Sequence, residues 1–144
     1  MPRIERLVVQ VLCHATEDEE KVMKAVENLV GSEAMEHMAL SSSSLTGHYG
    51  DPISLIRLTL LEGAVAKQVF RSILERLSPQ EREEIWSERA EKGKHGGKIY
   101  LRLDKQAAYL GAARISDRDP IRIQVNIRGR VEAFRRRLES GRDG

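Results

Sequence analysis

Two segments late in the chain place cations, amides and an aromatic ring at every second position. Aliphatic residues fill the positions between them, and the polar members are Lys98, Tyr100, Arg102, Arg122, Gln124, Asn126 and Arg128. A period of two predicts strands with one apolar and one polar face. Cations bind phosphates, a ring stacks on a base, and amides can hydrogen-bond base edges. If the two strands are neighbours, their shared polar face is a candidate nucleic-acid surface. The alternative is an ordinary solvated face.

A glycine-rich turn between Gly47 and Pro52 is the second candidate. Gly47 and Gly50 permit left-handed backbone and close approach of a ligand. Exposed backbone N–H groups in such turns can cradle a phosphate, to which His48 would add a donor and Tyr49 a stacking ring. The alternative is a hairpin turn in which the glycines serve only the backbone conformation.

Catalytic patterns are weak in this chain. Asp104 with Lys105 could form an acid–cation pair, and His48 with Asp51 a base and its orienting group, but neither comes with a matched nucleophile. The sequence contains no P-loop, GxSxG, HExxH or paired-cysteine signature. The histidines are scattered without metal-ligand spacing. We therefore predict a protein that is not an enzyme and needs no metal or cofactor, with a metal-dependent hydrolase as a minor alternative.

Charge is distributed unevenly along the chain. Residues 93–144 carry 13 Lys and Arg against 6 Asp and Glu, whereas the net charge of the whole chain is only +2. Such asymmetry favours a polyanionic partner for the C-terminal third. The arginines of the last helical segment surround its apolar stripe and share no single face, so they are a weaker signal. The acidic segments Glu17–Glu20 and Glu81–Glu91 leave a protein–protein adaptor as the main alternative function.

The length of 144 residues predicts one domain over residues 1–144, with a flexible tail at 141–144. A single cysteine, Cys13, excludes an internal disulfide and is typical of an intracellular protein. No stretch approaches the roughly 18 apolar residues of a membrane span. We expect a soluble, cytoplasmic protein without a membrane partner.

The apolar periodicity predicts an α+β fold with the approximate order β-α-β-β-α-α-β-β-α. The first strand covers Arg3 to His14, and a capping box at Thr16–Glu19 opens a helix that ends at Val30. The segment Met38–Thr46 is predicted as a short edge strand in a hairpin around the glycine turn. The remaining elements are helices at Gly63–Leu77 and from Pro79 to about Glu91, a strand through Ile99, a helical turn at Asp104–Gly111, a strand from Ile121 and a helix at Arg130–Ser140.

Three strings suggest a family. "HATEDEEKV" after the first strand, "GHYGDPI" in the hairpin turn and "LRLDKQAAYLG" after a late strand occur in this order. With them the chain resembles small archaeal proteins described as RNA-binding, exosome-associated subunits. The resemblance extends from about Ile4 to Ile127, and its most specific part is "LDKQAA", Leu103 to Ala108.

The resemblance implies a fold similar to the ribosomal protein that binds 5S RNA, with an antiparallel sheet packed against helices on one side. It also implies RNA binding, a link to RNA processing or degradation, and exosome- or ribosome-related protein partners. Lys105 and Gln106 become candidates for RNA contact, although Asp104 could instead cap a helical turn and Gln106 could satisfy buried backbone. A homodimer could form by pairing of the Met38–Leu45 edge strand. The predicted RNA-binding set is Gly47, His48, Tyr49, Gly50, Lys98, Tyr100, Arg102, Lys105, Gln106, Arg122 and Arg128.

Overall fold

A twelve-residue strand near the N-terminus lies in the middle of one antiparallel sheet in the computed structural model, which describes residues 1–141. The sheet has six strands in the order β2-β3-β1-β6-β5-β4. Every neighbouring pair is antiparallel. The strands are β1 (Arg3–His14), β2 (Ala39–Thr46), β3 (Pro52–Leu60), β4 (Ala90–Lys92), β5 (Gly96–Leu103) and β6 (Ile121–Arg128).

The helices pack against one face of this sheet, where alternate strand residues such as Leu7, Val9 and Ile123 are almost fully buried. Phe70 is central to the packing, since its ring lies 5.8 Å from that of Trp86 and 6.1 Å from that of Phe134. Burial of such side chains supplies most of the driving force for folding. The helices are α1 (Glu19–Val30), α2 (Ser32–His37), α3 (Gly63–Arg76), α4 (Pro79–Glu88), α5 (Lys105–Tyr109) and α6 (Val131–Glu139).

The other side of the sheet, which we call the open face, carries the polar half of the strand pattern. Its members alternate with core residues. Its polar members are Arg6 and Gln10 of β1, Arg57 and Thr59 of β3, Lys98, Tyr100 and Arg102 of β5, and Arg122, Gln124, Asn126 and Arg128 of β6. Val8 lies among them, and Leu12, Leu55 and Ile53 make the same face apolar toward the end of β1. The predicted α+β class with helices on one face is confirmed.

Most predicted elements lie where the periodicity placed them. β1 has the predicted bounds, and β2 pairs with β3 around the glycine turn as an edge strand. The capping box at Ser78 is present, because its hydroxyl accepts the Glu81 N–H and the Glu81 carboxylate accepts the Ser78 N–H. Of the predicted tail, residues 142–144 lie outside the described residues.

Two local predictions were wrong, and two short elements were missed. The cap of α1 is Asp18 rather than Thr16, since the Asp18 carboxylate accepts the Glu20 N–H at 2.9 Å. Glu19, the predicted partner of Thr16 in the capping box, is instead the first residue of α1. The helix predicted from Pro79 to about Glu91 ends at Glu88, and the strand β4 occupies Ala90–Lys92. The short elements α2 and β4 were not predicted, because six residues with only Ala34 buried and a three-residue strand carry too little periodicity.

Glu81 also connects α4 to the loop before β6. Its second carboxylate oxygen accepts the Ile115 N–H at 2.8 Å. Burial works to raise the pKa of Glu81, but the backbone N–H donors of Ile115 and Ser78, the Ser78 hydroxyl and the charge of Arg114 together hold that pKa below its usual range. A depressed pKa in the folded state means that the ionised carboxylate stabilises the fold.

We expect Glu81→Gln to lower the free energy of unfolding by about 1 kcal/mol at neutral pH, because the amide keeps only one neutral acceptor oxygen and turns its NH2 donor toward the other backbone N–H. This deficit should shrink as pH falls through the folded-state pKa of Glu81, where the wild-type carboxyl is itself neutral. Urea titrations of both proteins at neutral and acidic pH measure the difference. A deficit of equal size at both pH values would contradict the assignment.

Candidate nucleic-acid interface

Three arginines and a glutamine from four adjacent strands lie side by side on the open face. Gln10 of β1 is opposite Arg57 of β3 on one side and Arg122 of β6 on the other. Arg122 is in turn opposite Arg102 of β5. Strands in a sheet lie about 4.8 Å apart, so this basic row (Arg57, Gln10, Arg122 and Arg102) crosses about 14 Å of the surface.

Most of the positive charge of the basic row is not neutralised by neighbouring carboxylates. Arg102 lies 3.6 Å from the Asp117 carboxylate, which Arg89 also binds. Arg57 and Arg122 are exposed and form no ion pair with any residue between 1 and 141. Like charges directly opposite each other in a sheet cost stability. The Arg102–Arg122 pair is therefore typical of a surface that binds an anion.

A second row, beside the first, is less charged. Tyr100, Gln124 and Val8 lie side by side across β5, β6 and β1. Burial, together with a hydrogen bond to Glu91, raises the pKa of the Tyr100 hydroxyl. A depression of about 290 Å³ lies between the two rows. It offers a ring and an amide next to the arginines.

A third row lies toward the start of β1. Asn126 is opposite Arg6 on β1 and Lys98 on β5. When the Asn126 amide oxygen is turned toward Arg6, it accepts the Arg6 Nε–H at 2.8 Å. Arg128 follows on the same strand and lies 3.8 Å from the Glu5 carboxylate. Arg128 is opposite Arg3, so cations lie in the basic row, in the third row and in the row beyond it.

The structure brings together the strand residues that the sequence singled out. β5 and β6 are neighbours, so Lys98, Tyr100 and Arg102 share one face with Arg122 and Arg128. Sequence reasoning missed Arg6 and Arg57. Their alternation with buried residues was visible, but only the strand order places β1 and β3 beside β6.

The glycine turn lies at the tip of the β2–β3 hairpin. Gly50 has φ +83°, which favours glycine, and its N–H donates to the Gly47 carbonyl at 3.0 Å. The Gly47 N–H donates to the Asp51 carbonyl at 2.7 Å. Both glycine donors are thus used within the turn. What the turn presents to a ligand is the exposed pair His48 and Tyr49, whose rings meet edge to face at 4.9 Å.

Lys105 lies at the first position of α5 and points into the protein rather than away from it. Its ammonium donates to the Leu12 carbonyl at 2.6 Å, to the Glu17 carboxylate at 3.0 Å and to the Asp119 carboxylate at 2.8 Å. An ammonium has three N–H donors, and each has an acceptor here. Only 15% of the Lys105 side chain is exposed.

His14 completes this Lys105 cluster (Lys105, Glu17, Asp119 and His14), since its Nε2 lies 3.1 Å from the Asp119 carboxylate. Asp119 has φ +42°, a conformation that aspartate tolerates better than most residues. His14, Glu17 and Asp119 approach one another closely enough to hold a metal ion. The Lys105 ammonium already supplies a cation to both carboxylates, so the cluster is complete without one.

The neighbours of Lys105 have separate roles. The Asp104 carboxylate accepts the Ala107 N–H at 2.8 Å and so caps α5, which is the structural alternative that the sequence left open. Gln106 is exposed next to it. RNA contact by Lys105 and Gln106 stays a prediction, and Gln106 is the better placed of the two to reach a ligand.

The model of the family described as RNA binding matches residues 6–127 of this chain. The protein belongs to this RNA-binding family. An RNA-binding protein of Pyrococcus abyssi is 29% identical over 133 residues, which cover 92% of the chain and 84% of that relative. An uncharacterised protein of Methanocaldococcus jannaschii is 33% identical over 118 residues, covering 78% of the chain and 76% of that relative.

The fold has a counterpart among solved structures. A crystal structure of a protein from Archaeoglobus fulgidus superposes with a TM-score of 0.70 at 28% identity, covering 94% of this chain and 99% of that one. The expected membership in an archaeal RNA-binding family and the α+β fold are confirmed. Within the described residues, the helices are all too short or too polar to cross a membrane.

Proposed function

We propose that this protein binds RNA through the open face of its sheet and does not cleave it. The observation that carries the proposal is the basic row, in which Arg57, Arg122 and Arg102 lie side by side across four strands. Arg122 and Arg102 are directly opposite each other at a cost in stability, which a polyanion would offset by neutralising both.

Different residues of the open face bind different components of RNA. The arginines of the basic row, with Lys98 and Arg128, contact phosphates. The ring of Tyr100 stacks on a base exposed above the depression, and Gln124 hydrogen-bonds a base edge. With a single aromatic residue in the rows, backbone contacts supply more of the affinity than stacking does.

The absence of catalysis is supported by the internal roles of three carboxylates, one of which is the catalytic candidate Asp104. Asp104 is a helix cap, and Glu17 and Asp119 neutralise Lys105. A general base needs a free lone pair within hydrogen-bond reach of its substrate. These carboxylates direct theirs at groups within the protein.

A role in RNA processing or degradation, in the cytoplasm and beside exosome- or ribosome-related proteins, is the finer part of the proposal. It is supported by the resemblance carried by the strings at His14, Gly47 and Leu103. Residues from two of these strings belong to the Lys105 cluster, which links α5 to the segment after β1 and to the loop before β6. This end of the sheet lies next to the basic row.

The proposed mechanism predicts strong salt dependence. With about five phosphate contacts, a plot of log affinity against log salt should have a slope near −3.5 for single-stranded RNA, because each contact releases condensed counterions. Fluorescence anisotropy with labelled RNA across about 50 to 300 mM salt measures the slope. An affinity that does not change with salt concentration would contradict the phosphate contacts. Shortening of the labelled RNA by clean protein with Mg²⁺ would contradict the absence of catalysis.

A further inference from the structure

The β2 edge of the sheet lacks the features that usually protect such an edge. β2 has eight residues, all exposed, and the segment contains neither charge nor proline. Its register with β3 is continuous from Ala39 to Thr46, without a bulge. Proteins normally shield edge strands with short length, charges, prolines or bulges. The opposite edge follows that rule, since β4 has three residues, two of them Glu91 and Lys92.

The side chains of β2 are suited to close contact on both sides of the sheet. Four consecutive serines, 41 to 44, form its centre and are small enough for another backbone to approach. Leu40 is 62% exposed on the helix side, opposite Leu58, and Leu45 is 44% exposed on the open side, opposite Ile53. A strand added at this edge would cover part of both leucines.

We propose that β2 pairs antiparallel with β2 of a second copy of the chain, joining two sheets into one of twelve strands. In such a pair, residues directly opposite each other must share a face. The two-fold axis is therefore perpendicular to the sheet. If the two eight-residue strands overlap fully, this axis passes midway between the two copies of Ser42 or the two copies of Ser43. An uncharged strand can pair with its own copy without repulsion. A charged residue would lie close to the same charge on the other copy, across the axis.

The pairing also extends the proposed RNA surface, and this part rests on the proposed function. A perpendicular two-fold axis keeps both open faces on the same side of the joined sheet. Arg57 lies on β3, next to β2, so three strand spacings, about 14 Å, separate the β3 strands of the two copies. The two basic rows thus become one surface, and a longer RNA can contact both.

Cysteine variants test the pairing directly. Ser42→Cys and Ser43→Cys are made separately, with Ser87→Cys on the exposed surface of α4 as the matched control; the native Cys13 is buried. Oxidised glutathione takes up the two electrons and two protons released when two thiols form a disulfide. Opposed strand positions lie within disulfide range, so one β2 variant should become a covalent dimer far faster than the control. Rates equal to the control for both variants would overturn the proposal.

A lysine variant separates the pairing from RNA binding. By light scattering, the wild type and Ser87→Lys should have about twice the chain mass of 16.3 kDa, and Ser42→Lys, on the helix side of β2, the mass of one chain. Ser42→Lys should bind a long RNA at least about tenfold more weakly yet still in a salt-dependent way, through one face. A monomeric wild type would overturn the pairing and leave the RNA site standing. A dimer with no affinity for RNA would instead overturn the proposed function alone.

Discussion

Lys105→Ala is expected to destabilise the protein by about 2 kcal/mol. Removal of the ammonium leaves the Leu12 carbonyl and the carboxylates of Glu17 and Asp119 without their shared donor. Breaking a fully buried pair costs about 3–5 kcal/mol. Here the side chains of Glu17 and Asp119 are 28% and 40% exposed, so water recovers part of the loss. In a chain of this length the melting temperature should fall by roughly 6 °C.

Lys98→Ala is the matched control, because it removes the same charge from an exposed position on the open face. Thermal melts followed by circular dichroism compare both variants with the wild type. We expect Lys98→Ala to melt close to the wild type and to weaken RNA binding, whereas Lys105→Ala, measured where it is folded, should weaken RNA binding less. Equal melting temperatures for the two variants would show that the Lys105 cluster does not hold the fold together.

The strand alternation in the sequence was sufficient to predict most of the candidate site. Lys98, Tyr100 and Arg102 alternate with aliphatic residues, and so do Arg122 and Gln124, which fixed the face of each side chain before the strand order was known. Alternation is local, however, and it carries no information about which strands are neighbours. Arg57 joins the basic row only because β1 lies between β3 and β6.

The role of Lys105 could not be predicted from local pattern. Its acceptors on Leu12 and Glu17 are 93 and 88 residues away in the chain. The third acceptor, Asp119, reaches it from a left-handed conformation in the loop before β6. A lysine beside an exposed glutamine in a basic segment resembles a phosphate contact, and only the tertiary structure shows that its charge is used internally.

Reversing two charges of the basic row should weaken RNA binding on the order of 100-fold. Arg57→Glu with Arg122→Glu removes two phosphate contacts and adds two repulsive charges on one face. The salt slope should also become shallower by about 1.4, which corresponds to two lost contacts on single-stranded RNA. The fold should survive, because Arg57 and Arg122 are exposed and Arg122→Glu turns an unfavourable pair with Arg102 into a favourable one.

Lys21→Glu with Arg136→Glu provides the matched control. These residues are exposed on α1 and α6, on the helix side of the sheet, and the change in net charge is identical. Any loss that reflects only the charge of the whole molecule will appear equally in both double variants. A loss specific to the basic row will appear only in the first.

The decisive measurement is therefore the RNA affinity of these two folded double variants beside the wild type, in one buffer and with one labelled RNA. We predict that Arg57→Glu with Arg122→Glu loses nearly all binding, while Lys21→Glu with Arg136→Glu retains affinity within a few-fold of the wild type. Equal losses in the two variants, or a greater loss in the helix-side variant, would contradict RNA binding by the open face.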